Sequence, residues 1–328
     1  MKIAVVGTGV AGLAVLCHLL RYPGVRATLF DSGKGGASTA STGLLHPFPA
    51  RDCKRSWRAT EGMEAAAELL EAAEKVLGFP VCERTGLLRI AVTEEQKEHY
   101  RKRAEEDPEA FWLDDVRKKI SKAAPTSGIW VQKAITVYSS SYLEGLWQCA
   151  EKAGAERVLS SIKTLAELDS FDAIVLAVGA GILEFQECCH LPLKRTKGQA
   201  LLCRWPKEKL GPLPCSLLSQ GHITPTADPE VCQIGSTYER TFSSSDPDPK
   251  MALPLLEKAA LFYPPARDFE VLEIRSGVRI SPSLGYRPIA APIAPKTWVF
   301  TGLGSRGMLY HALLGKELAK EIVDRLSF

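Results

Sequence analysis

Apolar residues open the chain as a short unbroken run, Ile3 to Val6, the pattern of a strand buried on both faces. Three glycines follow at Gly7, Gly9 and Gly12, and then an apolar stretch of helical length, Leu13 to Leu20. A second strand-like run, Ala27 to Phe30, ends in Asp31. Residues 1–31 thus predict a strand–helix–strand unit with G-x-G-x-x-G at its first turn. Gly7 permits the tight turn, Gly9 lets a pyrophosphate approach the backbone, and Gly12 lets the helix pack on the strand. The helix N-terminus adds free N–H groups and the positive end of a dipole. Asp31 lies where such a fold places the acid that takes the ribose, about 20 residues past the glycines.

The pattern then alternates between helical and strand periods. Residues 33–49 are small and hydroxyl-rich, a loop able to approach phosphate closely. Residues 51–77 predict a helix with apolar positions at Met63, Ala66, Leu69, Leu70, Ala73 and Leu77. Its first turns carry Arg51, Lys54, Arg55 and Arg58, with Trp57 among them. Phe79 to Val92 reads as a strand pair turned at Arg84-Thr85-Gly86, and residues 94–120 as a charged, solvated helix. Ser141 to Gly154 is amphipathic at helical spacing, and Phe171 to Gly181 is a buried strand ending in small residues. Gly198 to Trp205, Gly221 to Thr224 and Val231 to Tyr238 predict an antiparallel sheet. A helix over Met251 to Phe262 and strands over Phe269 to Ile280 follow. Trp298 to Thr301 predicts a last strand, leading through Gly302-Leu-Gly-Ser-Arg-Gly307 into a helix, Met308 to Leu326.

Nucleotide-fold elements therefore lie at both ends and in the middle, with antiparallel material between them. The expected class is α/β. A Rossmann-like nucleotide-binding domain comes from residues 1–78, 136–196 and 277–328. A discontinuous antiparallel α+β substrate domain comes from residues 79–135 and 197–276.

Composition adds bounds. The 328 residues are 45% hydrophobic and 24% charged, as in an ordinary globular protein with a real core. A net charge of +3 permits an anionic partner without requiring one. No apolar run approaches membrane-spanning length. The nine cysteines form no CxxC, the six histidines are scattered, and no metal-ligand spacing appears. With the glycine motif starting at residue 7 there is no room for a secretory signal, so reduced thiols in a cytoplasmic setting are expected, or an organellar one if a transit peptide was removed.

From these motifs the chain resembles the FAD-dependent D-amino-acid oxidase and glycine oxidase superfamily along almost its whole length. The glycine motif with Asp31 matches, although many relatives carry Glu there. Ala37-Ser-Thr-Ala-Ser-Thr-Gly-Leu-Leu-His-Pro is similar to the family's pyrophosphate and flavin-edge loop, and the strand Asp172 to Gly181 to its second nucleotide contact. Ile234-Gly-Ser-Thr-Tyr-Glu239 and Ser276-Gly-Val-Arg279 resemble two further family segments, the second of which supplies an arginine for a substrate carboxylate. Gly302 to Gly307, with Gly221-His-Ile-Thr-Pro225, is similar to the oxidoreductase domain of the tRNA-modifying MnmC family. His222 stands where relatives usually carry Tyr, and the methyltransferase domain of that family is absent from this sequence.

The resemblance implies FAD held by Gly7, Gly9, Gly12, Asp31, Ser32, Ser38, Thr39, Ser41, Thr42, Gly43, Leu44, Val158, Ala177, Gly179, Gly302, Gly304, Ser305, Arg306, Gly307 and Met308. It implies oxidation of a C–N bond, with Arg279 and Arg306 as candidates for a substrate carboxylate and His222 beside them. A guanidinium can grip a carboxylate with two parallel bonds. The substrate is then either a carboxymethylaminomethyl-uridine at the tRNA wobble position, released as glyoxylate and an aminomethyl group, or a free amino acid such as glycine, sarcosine or a D-amino acid. Under the tRNA reading the basic cluster around Trp57 would meet phosphates and a base. A non-catalytic flavin-binding RNA module and an NAD-binding enzyme are the remaining alternatives. Oligomeric state and electron acceptor have no motif here.

Overall fold

The computed structural model describes residues 1–327. The strand Lys2–Val6 is buried on both faces and pairs in parallel with Arg26–Asp31 on one side and Ala173–Leu176 on the other. Thr297–Thr301 adds in parallel beyond Ala173–Leu176, and Glu156–Leu159 in parallel beyond Arg26–Asp31. The antiparallel strand Ile289–Ala294 closes one edge of this six-stranded sheet. Parallel strands need helical crossovers, which explains why the apolar helix Val10–Leu19 sits directly after the first strand. That helix is apolar around most of its circumference and is buried accordingly. The long helix Gly307–Leu326 crosses it at Gly315, where a Cβ would stand 3.2 Å from that of Ala14. The absent side chain lets the two backbones approach.

A second, eight-stranded sheet runs in the order Val271–Pro282, Leu193–Arg204, Val231–Gly235, His222–Pro225, Ser216–Leu218, Leu87–Ile90, Gly128–Val131, Ala110–Leu113. All its pairings are antiparallel except Ser216–Leu218 with Leu87–Ile90. One face, with Leu201, Cys203, Ile223 and Ile234, packs on Leu255, Phe262, Tyr263 and Phe269. The opposite face meets the loop that follows Asp31. The strands of the six-stranded sheet all fall within 1–78, 136–196 and 277–328, whereas Leu193–Arg204 and Val271–Pro282 run across the sequence boundaries near 196 and 277.

Four local expectations are corrected. The helix expected over 51–77 is Ala59–Leu77, because Cys53 and Arg58 take left-handed backbone and Ser56 N–H turns back to the Pro47 carbonyl. The strand pair expected over 79–92 is no hairpin. Cys82–Glu83 joins a small sheet with Ile135–Val137, and Leu87–Ile90 enters the eight-stranded sheet. The charged helix ends at Glu106, just before Asp107-Pro108, and residues 110–113 form a strand. The helix over Met251 to Phe262 is two short pieces, Pro249–Ala252 and Leu255–Ala260, on either side of Leu253-Pro254. Among the described residues no helix is long and apolar enough to cross a membrane, and no cluster of His, Cys, Asp or Glu could hold a metal ion.

Candidate active site

The glycine motif sits at the carboxyl ends of the central parallel strands. Gly7 has φ +112°, and a Cβ there would stand 2.5 Å from the carbonyl oxygen of Ala177, just past the neighbouring strand. A Cβ on Gly12 would stand 1.9 Å from the Gly7 carbonyl. Both positions therefore require glycine for packing. A Cβ on Gly9 would meet Ser38 Oγ at 3.0 Å, and this hydroxyl accepts a hydrogen bond from Val10 N–H at 3.2 Å. The first turn of the helix carries no acidic residue to offset its dipole. Asp31 is buried and accepts from Thr8 Oγ1 at 3.1 Å, from Gly33 N–H at 2.9 Å and from the Arg157 guanidinium. Burial alone would raise its pKa; the bonds from Arg157, Gly33 and Thr8 outweigh it and hold the carboxyl below the ordinary range.

The structure brings Gly7, Gly9, Gly12, Ser38 and Ala177 together around one helix N-terminus. Gly307, at the start of the last helix, packs against Val10 with its Cβ position 3.8 Å from Val10 Cγ2. Two helix N-termini thus flank the glycine turn. Val158 pairs in register with Phe30 next to Asp31. Gly43 (φ +72°) lies against the Val137 carbonyl, and Leu44 pairs with Thr136. Gly179 and Gly304 also take positive φ, and a Cβ on Gly304 would meet Ser281 Oγ at 2.6 Å. Some hydroxyls of the loop serve the loop itself. Thr39 Oγ1 donates to the Gly36 carbonyl, Ser41 Oγ accepts from Gly43 N–H, and Ser32 Oγ accepts from Lys34 N–H. Thr42, Gly302 and Ser305 lie along the same two loops and Met308 in the first turn of the last helix, with Met308 buried and Ser305 exposed. A cradle that no Cβ could share, an uncompensated helix dipole and a buried acid fit a flavin dinucleotide.

The loop after Asp31 crosses the face of the eight-stranded sheet opposite Leu201 and Ile234. A Cβ on Gly277 would stand 2.8 Å from Ala37 Cα, Gln233 Nε2 donates to the Ala40 carbonyl, and the buried Arg89 donates to the carbonyls of Phe48 and Ala50. On this face Gly198, Ala200 and Gly235 make a floor without bulk. Arg279 flanks it on one side. Its guanidinium lies over Gly198, within 1.7 Å of where a Cβ would be, and donates from Nη2 to Ser236 Oγ and the Thr237 carbonyl, both at 3.1 Å. Among the described residues no carboxylate pairs with it. His222 flanks the other side, its Nε2 standing 2.7 Å from a Cβ position on Gly235 and lacking a hydrogen-bond partner. His46, in the loop above, is buried with Nδ1 also unpartnered. Sequence reasoning named Arg279 and His222 but missed His46, Arg89 and the small-residue floor. Gly198 and Ala200, alternating with the apolar Leu201 and Cys203, carried the signal.

Burial, and then the Arg279 charge, lowers His222 to about 3; burial, and then Arg89 and His222, lowers His46 to about 3. His311 accepts from Tyr142 at 2.6 Å, its Nδ1 faces the Gly307 and Met308 carbonyls, and burial lowers it to about 4. All three are neutral near pH 7. An unfolded histidine titrates near 6.5. Below that value the unfolded chain binds more protons than the folded one, so stability falls as pH falls. Each histidine contributes a slope of roughly 1.4 kcal/mol per pH unit in that window. Carboxylates such as Asp31, with depressed values, lose their contribution only at lower pH. The melting temperature is therefore expected to drop by several degrees between pH 7 and 5, and less steeply in His222→Gln. A flat profile over that range would show that these imidazoles accept protons in the folded state.

The basic cluster expected to face phosphates is largely spent within the chain. Arg55 pairs with Asp107 at 2.8 Å and with Glu109 at 2.5 Å, Arg58 with Glu61 and Glu317 at 2.6 Å each, and Lys54 with Asp52 at 3.0 Å. Arg306 differs. Its guanidinium lies 4.7 Å from the centre of the Tyr286 ring, its Nε is buried without a partner, and no carboxylate pairs with it among the described residues.

A parallel nucleotide sheet with a glycine cradle, set against an antiparallel sheet that offers an unpaired arginine, defines a two-sheet dinucleotide-dependent oxidoreductase. The chain belongs to the DAO family of FAD-dependent oxidoreductases, whose model matches residues 2–321. It is 27% identical over 350 residues to a tRNA 5-methylaminomethyl-2-thiouridine biosynthesis bifunctional protein MnmC from a Caulobacter species, covering 98% of this chain and 54% of that protein. The chain thus spans about half the length of that relative. It is 23% identical to the uncharacterized oxidoreductase YurR of Bacillus subtilis, covering 98% and 94% of the two chains. In fold it is similar to glycine oxidase from Geobacillus kaustophilus, with a TM-score of 0.85 at 21% identity over 99% and 95% of the chains. It is similar also to iminodiacetate oxidase from a Chelativorans species, with a TM-score of 0.83 at 18% identity over 99% and 95%.

Proposed function

We propose that this flavoenzyme uses FAD to oxidise the C–N bond of a secondary amine bearing a carboxymethyl group, and that its substrate is a carboxymethylaminomethyl-uridine at the tRNA wobble position. The products are glyoxylate and an aminomethyl group on the RNA. The balance is a two-electron oxidation of the carboxymethyl CH–N bond to an imine, which water then cleaves. FAD, when bound, supplies the two-electron acceptor. The observation that carries the reading is Arg279, a guanidinium with no counter-ion among the described residues, above a floor of glycine and alanine. It can take a carboxylate with parallel bonds, and the small floor leaves room for the adjoining CH₂–NH. His222, neutral across the floor from it, can donate to a second oxygen without adding charge. Two helix N-termini at the glycine turn stabilise negative charge there.

The tRNA part of the reading rests on the Gly302 to Gly307 segment and on likeness to MnmC proteins. A free amino acid is the second reading, favoured by the internal pairing of Arg55 and Arg58 and by the glycine oxidase fold. Anaerobic reduction, followed as loss of flavin absorbance, separates the two. The protein is mixed with tRNA bearing the modified uridine and, in parallel, with glycine, sarcosine, proline and D-alanine. Bleaching by the tRNA with release of glyoxylate supports the first reading. Bleaching by a small amine alone replaces it with the second.

A further inference from the structure

The loop that leads from Val271–Pro282 in the eight-stranded sheet to Ile289–Ala294 in the six-stranded sheet carries a feature that the carboxylate site does not use. Tyr286 is 76% exposed and Trp57 39% exposed, so two large rings face solvent on this side of the molecule. The Trp57 ring shares two cations, Arg58 at 5.3 Å and Arg287, and the Tyr286 ring shares one. The Arg287 guanidinium lies 4.8 Å from the Trp57 ring centre, and that of Arg306 lies 4.7 Å from the Tyr286 ring centre. Tyr310, in the first turn of the last helix, donates to the Trp57 carbonyl at 2.9 Å and ties this ring to the helix that Arg306 caps. Among the described residues neither Arg287 nor Arg306 pairs with a carboxylate, whereas Arg55 and Arg58 nearby in sequence do. Leaving two guanidiniums free beside exposed rings suits a flat, anionic partner. Aromatic faces stack unpaired bases, and arginines take the flanking phosphates.

Placement strengthens the match. Tyr286 and Arg287 stand seven and eight residues beyond Arg279, and Gly304 packs against Ser281 just after it. The loop thus follows directly on the strand that bears Arg279, and Ser281 on that strand meets the Gly302–Gly307 segment at Gly304.

We propose that Trp57, Tyr286, Arg287 and Arg306 form a platform for an RNA loop, stacking an unpaired nucleobase on the exposed rings and holding its phosphates on the two free arginines. The proposal rests on the tRNA reading above and names the surface that would serve it. The test is binding, independent of turnover. A fluorescent anticodon stem–loop with unmodified wobble uridine is titrated with flavin-loaded protein at several salt concentrations. Tyr286→Ala and Arg287→Ala are each expected to weaken binding about tenfold. Tyr286→Phe, which keeps the ring, retains wild-type affinity. Arg287→Ala also lowers the slope of log affinity against log salt by about 0.7. Lys102→Ala, on the solvated helix Glu94–Glu106, leaves affinity unchanged. Melting temperature and flavin absorbance confirm that the variants fold. Wild-type affinity in both alanine variants overturns the platform and leaves the tRNA reading standing. Failure of the wild-type protein to bind the stem–loop also overturns the platform, and the anaerobic reduction experiment then decides the tRNA reading separately.

Discussion

Arg279→Ala is expected to keep its flavin and lose flavin reduction by its carboxylate-bearing substrate about 10²- to 10³-fold in kcat/KM. Truncating one partner of a hydrogen-bonded charge pair costs roughly 2–5 kcal/mol. The size follows from what the guanidinium lacks. Its Nη2 donates to Ser236 and Thr237, and a guanidinium has five N–H groups in all. Burial already depresses its pKa, so the charge is held in a place that disfavours it. An incoming carboxylate is therefore met by donors that are oriented and poorly solvated. A structural ion pair would behave differently, because its loss strands a buried acid and lowers the melting temperature. No such acid exists among the described residues, so Arg279→Ala is expected to melt near or above the wild type. Arg279→Lys keeps the charge but not the fork and is expected to fall between the two. Stopped-flow reduction, melting temperature and flavin absorbance measured on the three proteins test this. Unchanged turnover in Arg279→Ala would remove the residue from the substrate site.

Local chemistry is legible in the sequence where one residue type has one physical reason. Gly7 and Gly12 meet backbone oxygens closer than any Cβ permits, and the motif marks both. The patterns over Gly198 to Trp205 and Val231 to Tyr238 point to antiparallel pairing, because a period of two suits a strand and no helix. What stays hidden depends on partners far along the chain. The Arg51 to Arg58 cluster looks like a phosphate-binding face until Asp107, Glu109 and Glu317 arrive from segments about 50 to 260 residues away. Phe79 to Val92 has hairpin chemistry, yet its two halves join different sheets because Ile135–Val137 competes for the first. His46 has no local signal at all. Its significance lies in facing Arg89 and His222 across the loop–sheet contact. Arg306 reads as a carboxylate binder from its motif, and the structure sets it against Tyr286, a contact that sequence spacing does not suggest.

Gly12→Val is expected to give protein without flavin and with lowered thermal stability, whereas Gly9→Ala folds with near-native stability. The two glycines belong to one motif but meet different neighbours. At Gly12 the obstruction is the Gly7 carbonyl at 1.9 Å, and Gly7 in turn is wedged against the Ala177 carbonyl at 2.5 Å. Backbone cannot rotate away as a side chain can. The helix Val10–Leu19 must then lift off the strand Lys2–Val6, which separates its N-terminus from the turn that would hold the pyrophosphate and exposes a helix buried on nearly every side. Overpacking of this kind typically costs about 1–3 kcal/mol or more. At Gly9 the first neighbour is the Ser38 hydroxyl at 3.0 Å, a single side-chain atom that can change rotamer. Gly9→Ala therefore tests the cofactor cradle with little effect on the fold, and Gly9→Val tests it more strongly. If the backbone at Gly9 faces the pyrophosphate, the 450 nm to 280 nm absorbance ratio falls from wild type to Gly9→Ala to Gly9→Val while the melting temperature of the flavin-free protein stays nearly level. A full flavin complement in Gly9→Val would place the dinucleotide elsewhere. A stable, flavin-replete Gly12→Val would show that the helix and strand can part without loss of the site.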